Sequence, residues 1–176
     1  MHDNSKLIMN DLVNRYLNGD ECLDIIDIGS YGAEDVGGSY KEIFNKDKWS
    51  YTGLDIIEGE NVDIVAEKYN WPLENESYDV VISGQCIEHV EAPWLWIKEI
   101  ERICKPDGIV IIIGPFRYKE HRYPVDCWRI LPDGMRYLLG DWCNFEVMET
   151  KIAQCKLHDH VTDCYIVGKK YGTDNG

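Results

Sequence analysis

Apolar positions along this chain alternate between two rhythms. Leu7, Ile8, Leu12, Tyr16 and Leu17 recur at the spacing of a helix face, which predicts a helix over 5–17, ended near Gly19. Leu23, Ile25 and Ile26 then make a nearly unbroken apolar run, the pattern of a strand buried on both faces, over 22–28. Strand signals return at 50–55 (SYTGLD), 62–66 (VDIVA), 78–83 (YDVVIS) and 109–113 (IVIII). Helical spacing returns over 91–104, where Trp94, Ile97, Ile100, Glu101 and Cys104 mark the faces and Lys105-Pro106-Asp107-Gly108 supplies a stop. Ser39 and Glu42 have the spacing of a capping box, which predicts a short helix over 40–45. A further helix is expected over 132–139. Two last strands are expected over 144–148 and 161–167, separated by a polar stretch around 156–160.

Buried strands alternating with helices predict an α/β chain: a doubly wound, mostly parallel seven-stranded sheet covered on both faces. No long helix separates the last two strands, so they are expected to pair antiparallel at one edge. In such a sheet the ligand site lies beyond the carboxyl ends of the strands, where Gly29, Asp55 and Ser83 converge.

A length of 176 residues favours one domain and a core that needs no staple. The net charge of −14 disfavours nucleic acid and anionic membrane surfaces, both of which demand Lys and Arg. The longest apolar run, IVIII, is far short of the roughly 18 residues that span a bilayer. The first 17 residues read as an amphipathic helix rather than a signal peptide. Seven scattered cysteines, an odd number without a CxxC pair, point to a reduced, cytoplasmic protein and not to a zinc module.

The stretch DIGSYGAEDVGGSY, residues 27–40, carries the chemistry. A glycine-rich turn between strand and helix brings a ligand close to the backbone. A phosphate loop requires a Lys directly after its last glycine, and here Ser39 follows Gly37-Gly38. A dinucleotide turn requires GxGxxG, and Tyr31 stands in its third position. Glu34 and Asp35 beside a pyrophosphate would cost on the order of 1 kcal/mol each at a wet surface. A nucleoside with a cationic tail, S-adenosylmethionine, suits the turn better. Asp55, ending the second strand, is placed to accept from ribose hydroxyls. The plainer alternative makes Glu34 and Asp35 solvated turn residues and Asp55 a cap.

LDIIDIGS (23–30), YTGLDI (51–56), NVDIVAE (61–67), SYDVVISGQCIEHV (77–90), IKEIERICKPDGIVIIIGP (97–115) and HRYPVDCWRILPDGMRYLL (121–139) together resemble class I S-adenosylmethionine-dependent methyltransferases of the type 11 group. The resemblance spans nearly the whole chain from Cys22. It departs from the family at DxGxGxG, where Tyr31 and Ala33 replace glycines. It implies the Rossmann-like methyltransferase fold in a single domain: residues 1–20 a leading helix, 21–115 the cofactor half, 116–176 a substrate-side loop and the last strands. By position it places Asp27 and Gly29 against the amino-acid tail, with Ser30 and Gly32 also on the cofactor. Asp55 falls on the ribose, Ile56 on the adenine ring and Glu67 near the adenine amino group, with Ser83 and Gln85 on the methionine side.

Methyl transfer asks mainly for alignment and exclusion of water; a general base is needed only for a weakly acidic acceptor. His121, Tyr123 and Asp126, in the His-, Tyr- and Trp-rich segment 114–130, are the catalytic candidates, with His89 and Trp128 nearby. The plain alternative is a structural loop in which Arg129 pairs with Asp126 and Trp128 packs on the sheet. Glu88-His89 suggests a metal pair as in ExxEH enzymes, but Gln85 replaces the first acid, and no metal site is expected. Resemblance to proteins with this H-x-x-P-x-D-x-W-R stretch, which accompany glycan pathways, implies a sugar-like or other small polar acceptor. Two other functions compete: a catalytically silent S-adenosylmethionine-binding module, and a nicotinamide-dependent oxidoreductase.

Overall fold

A computed structural model describes residues 3–32, 38–154 and 162–172. Its elements are helix α1 (Asp3–Tyr16), strands β1 (Leu23–Ile28), β2 (Trp49–Asp55), β3 (Ile64–Val65) and β4 (Tyr78–Gly84), helix α2 (Pro93–Ile103), strand β5 (Cys104–Arg117), helix α3 (Pro132–Arg136), and strands β6 (Phe145–Gln154) and β7 (Thr162–Lys170). They form one sheet in the order β3-β2-β1-β4-β5-β7-β6. β1 to β5 are parallel; β7 runs antiparallel to both β5 and β6. The chain winds outward from β1 to β3, then returns to lay β4 on the other side of β1. The switch point therefore lies between β1 and β4.

Alternation along each buried strand divides the core in two. Ile26, Val81, Val110 and Ile112 face α2 and α3 with Ile97, Ile100, Met135 and Leu139. Ile25, Val80, Ile82, Ile111 and Ile113 face α1, whose Met9, Leu12 and Val13 pack with Tyr40 and Phe44. α2 begins at Pro93, a first-turn position where proline's missing donor costs nothing, and buries Trp96, Ile97, Ile100 and Ile103.

Some expected elements change. Residues 40–45 form a tight turn, not a helix: Ser39 Oγ accepts from the Lys41 amide at 2.9 Å, and the amides of Ile43 and Phe44 bond three residues back. Phe44 is pinned against Trp49 and Tyr51, leaving too little chain to offset helix nucleation. β3 shrinks to two residues because the Asp63 carboxylate takes the Gly53 amide at 2.7 Å, so ladder pairing begins only at Ile64. β5 starts at Cys104, directly after α2, and absorbs the 105–108 stop as an irregularity between the Tyr78 and Val80 pairings, with Asp107 at φ 62°. The expected helix over 132–139 divides into α3 and a wider turn, Tyr137–Asp141. The last two strands run longer than expected, and β7 inserts between β5 and β6.

Candidate functional site

The carboxyl ends of β1, β2 and β4 hold the first group of side chains. Asp27, near the end of β1, is 2% exposed. Its Oδ2 accepts from the Tyr51 hydroxyl at 2.5 Å, while its buried Oδ1 has no partner among the described residues. Burial pushes this carboxyl up to about 7, against the Tyr51 hydrogen bond and with Asp55 adding to the rise. Gly29 follows at φ 83°, a left-handed conformation with almost no steric cost for glycine alone. A Cβ there would lie 2.5 Å from Cys86 Sγ, so the turn passes directly over the residue that follows Gln85. The amides of Gly29 and Ser30 both donate to the Leu54 carbonyl, at 2.8 and 3.2 Å, which locks the turn to β2. Ser30 Oγ is buried without a partner. The Gly32 amide donates to the Glu60 carbonyl at 3.3 Å.

Asp55 closes this end of the site. Its carboxylate accepts from the Tyr31 amide at 3.0 Å and the Ile56 amide at 2.7 Å, one on each oxygen. Burial raises its pKa, and the Tyr31, Ile56 and Ile57 amides oppose the rise. Asp55 therefore acts as the cap that the plainer alternative foresaw, with acceptor capacity left over for a ligand. Ile56 is 41% exposed, an apolar shelf beside it. Glu67 is exposed and its backbone bridges Asn70. Glu34 and Asp35 lie outside the described residues.

Ser83 departs from its expected place in the pocket. It is wholly buried, and its hydroxyl donates to the Ile28 carbonyl at 2.7 Å, tying the ends of β1 and β4 together. Gln85 adopts φ 57°, strained for a residue with a side chain, and its amide donates to Asp163 Oδ1 at 3.2 Å. Asp163 on β7 is fully buried and also accepts from Asn4 Nδ2 of α1 at 2.6 Å. Tyr51 and Asp163 were not singled out from the sequence. Asp163 carried a signal, a lone charge inside the apolar strand VTDCYIV; Tyr51 carried none.

A second group lies beyond β4 and β5. The loop after β5 returns to the short turn Ile87–His89: the amides of Cys127 and Trp128 donate to the Glu88 carbonyl at 2.7 and 3.3 Å. Trp128 Nε1 donates to the Val90 carbonyl at 2.7 Å, so Trp128 anchors the loop. Arg129 grips Asp126 with Nη1 at 2.6 Å and Nη2 at 2.8 Å, and the His121 amide donates to the same carboxylate at 2.7 Å. Arg129 holds Asp126 well below the usual carboxylate range, so Asp126 is a poor proton acceptor. It shapes the loop and orients His121, whose Nδ1 lies 3.5 Å from Asp126 Oδ2. His121 stands edge-on to His89 at 4.8 Å between ring centroids, and to Tyr118 at 5.1 Å and Tyr123 at 6.0 Å. Burial lowers the His89 pKa. Tyr123 is half exposed at the mouth.

Among the tryptophans, Trp71 and Trp96 are buried packing residues and Trp94 is exposed. Among the described residues, no helix is long and apolar enough to cross a membrane.

The family model for a methyltransferase domain matches residues 36–112, which includes β2 to β4 and the start of β5. A chloroplastic 2-methyl-6-phytyl-1,4-hydroquinone methyltransferase of Oryza sativa subsp. japonica is 27% identical over 95 residues, 53% of this chain and 27% of that protein. The chain thus matches only about a quarter of the length of this curated relative. Among solved structures, the complex between the Haloferax volcanii Trm112 methyltransferase activator and a methyltransferase aligns with a TM-score of 0.73 at 16% identity, covering 99% of this chain and 92% of that one. A Burkholderia thailandensis 1,6-didemethyltoxoflavin-N1-methyltransferase with bound S-adenosylhomocysteine aligns at 0.69 and 13% identity, covering 96% and 77%. The family match covers somewhat under half of the chain, and the likeness to solved methyltransferases extends the expected fold over nearly all of it.

Proposed function

We propose that this chain is a methyltransferase domain that binds S-adenosylmethionine and transfers its methyl group to a small polar acceptor, a reading supported by the family match over residues 36–112 and by the fold. One observation carries the reading. At the switch point, two polar atoms, Asp27 Oδ1 and Ser30 Oγ, are buried without partners among the described residues, beside a backbone turn that closes on Cys86. Leaving such groups unpaired costs about 1–3 kcal/mol each, so they suit a ligand that brings donors. A nucleoside with an ammonium and a sulfonium in its tail brings both donors and positive charge to Asp27. A pyrophosphate would bring the wrong charge to the same carboxyl, which argues against the nicotinamide alternative.

The residues fit that cofactor. Asp27 and Ser30 face the cationic tail; Asp55 offers its remaining lone pairs to ribose hydroxyls; exposed Ile56 covers one adenine face. Glu67 stands at the adenine edge, and Gln85, held by Asp163, lines the methionine side. Ser83 serves indirectly by fixing the strand ends. When bound, S-adenosylmethionine supplies an electrophilic methyl carbon that needs only an aligned nucleophile. The chain supplies that alignment through the 114–130 segment, where His121 and Tyr123 face the acceptor and Asp126 with Arg129 holds His121 in place. A sugar-like or other hydroxylated acceptor matches the polar lining of that segment.

Calorimetry with S-adenosylhomocysteine, NAD and NADP in parallel tests the cofactor. Binding of S-adenosylhomocysteine alone is the expected result; binding of NAD alone overturns it. Transfer of a radiolabelled methyl group to nucleotide sugars and small hydroxylated metabolites tests the acceptor class. A chain that binds the cofactor and turns over none of them is instead the silent module.

A further inference from the structure

Glu88 is the most demanding side chain in the molecule. It is 0% exposed, and among the described residues neither carboxylate oxygen has a hydrogen-bond partner beyond its own backbone. Burying such a group without compensation is costly. Arg129, the nearest arginine to act on it electrostatically, spends its hydrogen bonds on Asp126 and on the carbonyls of Tyr118, Lys119 and Trp128.

Two imidazoles face that carboxylate. His89 Nε2 lies 3.7 Å and His121 Nε2 3.8 Å from Glu88 Oε1. Their other nitrogens are engaged. His89 Nδ1 is 2.5 Å from the Val125 carbonyl, and His121 Nδ1 is 3.3 Å from the Lys119 carbonyl and 3.5 Å from Asp126. Carbonyls and carboxylates only accept, so each Nδ1 carries a proton, and in the neutral ring Nε2 then presents its lone pair toward Glu88. That is the arrangement in which an outer oxygen fixes a metal-ligating histidine. The three side chains reach the spot from different parts of the chain: Glu88 and His89 from the turn after β4, His121 from the loop after β5. One atom from each lies within 4.8 Å of the others. Ligands about 2.0–2.2 Å from a tetrahedral ion stand roughly 3.4 Å apart, so the two Glu88–histidine pairs need to close by a few tenths of an ångström, while the set as a whole, spread within 4.8 Å, needs side-chain movement of up to roughly an ångström.

We propose that Glu88, His89 and His121 bind a divalent first-row transition ion of the zinc, manganese or iron class. Two imidazoles and one carboxylate leave coordination positions open, as in catalytic rather than structural sites. Tyr123 and Tyr118, packed around His121 and His89, line the approach to those positions. The ion orients an oxygen donor, which selects hydroxyl-bearing acceptors. That role rests on the methyl-transfer reading; the binding of the ion does not.

The test uses the full chain stripped with chelator, then titrated with Zn²⁺ by calorimetry and with Co²⁺ by visible absorption. One ion bound per chain is expected, with a cobalt spectrum lacking thiolate charge-transfer bands. Glu88→Gln and His121→Ala are each expected to weaken binding by about tenfold or more. Both variants are expected to bind S-adenosylhomocysteine as the parent chain does, which shows that they are folded. No binding by the parent chain overturns the proposal. So does equal binding by folded Glu88→Gln, or a thiolate spectrum, since either assigns the ion to cysteines. Failure of S-adenosylhomocysteine to bind, with ion binding intact, strikes only the methyl-transfer reading.

Discussion

Replacing Asp27 by Asn separates the cost of this buried acid from its use. Asn keeps the shape and still accepts from the Tyr51 hydroxyl, but it cannot ionise. The folded-state pKa rises from 3.8 to about 7, so the acid's contribution to stability is fully present below pH 3.8 and is lost as the pH climbs through 7. At about 1.4 kcal/mol per pH unit, a rise of about three units sets a ceiling of about 4 kcal/mol on the penalty carried by the native chain above pH 7. The orphaned Oδ1 position stays unpaired in both chains at low pH, so the difference between them isolates the charge. Urea midpoints measured from pH 4 to 8.5 give the assay. Asp27→Asn is expected to gain stability relative to the native chain as the pH rises, by a few kcal/mol at most. S-adenosylmethionine, bringing cations, is expected to restore the native chain and to bind the variant at least about tenfold less tightly, the cost of a charge-assisted hydrogen bond. A stability difference that stays flat across this range refutes the claim that burial raises the Asp27 carboxyl above its ordinary value.

Asp55→Ala is expected to weaken S-adenosylhomocysteine by roughly 1–3 kcal/mol, seen by calorimetry, because ribose contacts are lost and the Tyr31 amide is released. Unchanged affinity would mean that the sugar lies elsewhere. Gly29→Ala forces a Cβ to 2.5 Å from Cys86 Sγ at φ 83°, and should lower stability by about 2–4 kcal/mol in urea titration; Cys86→Gly in the same chain should recover part of it. His121→Ala should cut turnover while leaving S-adenosylhomocysteine affinity intact. If turnover is also unchanged, the acceptor does not sit beside this ring.

The sheet was legible because its central strands are apolar on both faces, as in LDIID and IVIII, and nothing but a covered parallel strand explains such runs. The antiparallel last pair was legible because no helix fits between its strands. The 40–45 segment misled because a capping box reports a local preference, while Phe44 answers to Trp49 and Tyr51 across the fold. Asp27, Gly29 and Asp55 lie at the carboxyl ends of β1 and β2, as the order of strands predicts. Ser83 was not, since sequence cannot tell a hydroxyl facing a pocket from one bonded to a neighbouring strand. Asp126 and Arg129 pair as the plainer alternative held, which follows from their three-residue separation. Glu88, His89 and His121 were each noticed, but their meeting was hidden, because 32 positions separate His89 from His121 and only the returning loop joins them.

Asp163 receives Asn4 from the first helix and Gln85 from the turn after β4. One carboxylate thus joins segments 159 and 78 positions distant along the chain. During synthesis the turn that bears Gln85 leaves the ribosome long before its anchor does. A nascent chain released short of β7 would carry a largely complete parallel sheet whose reactive corner has nothing to brace it.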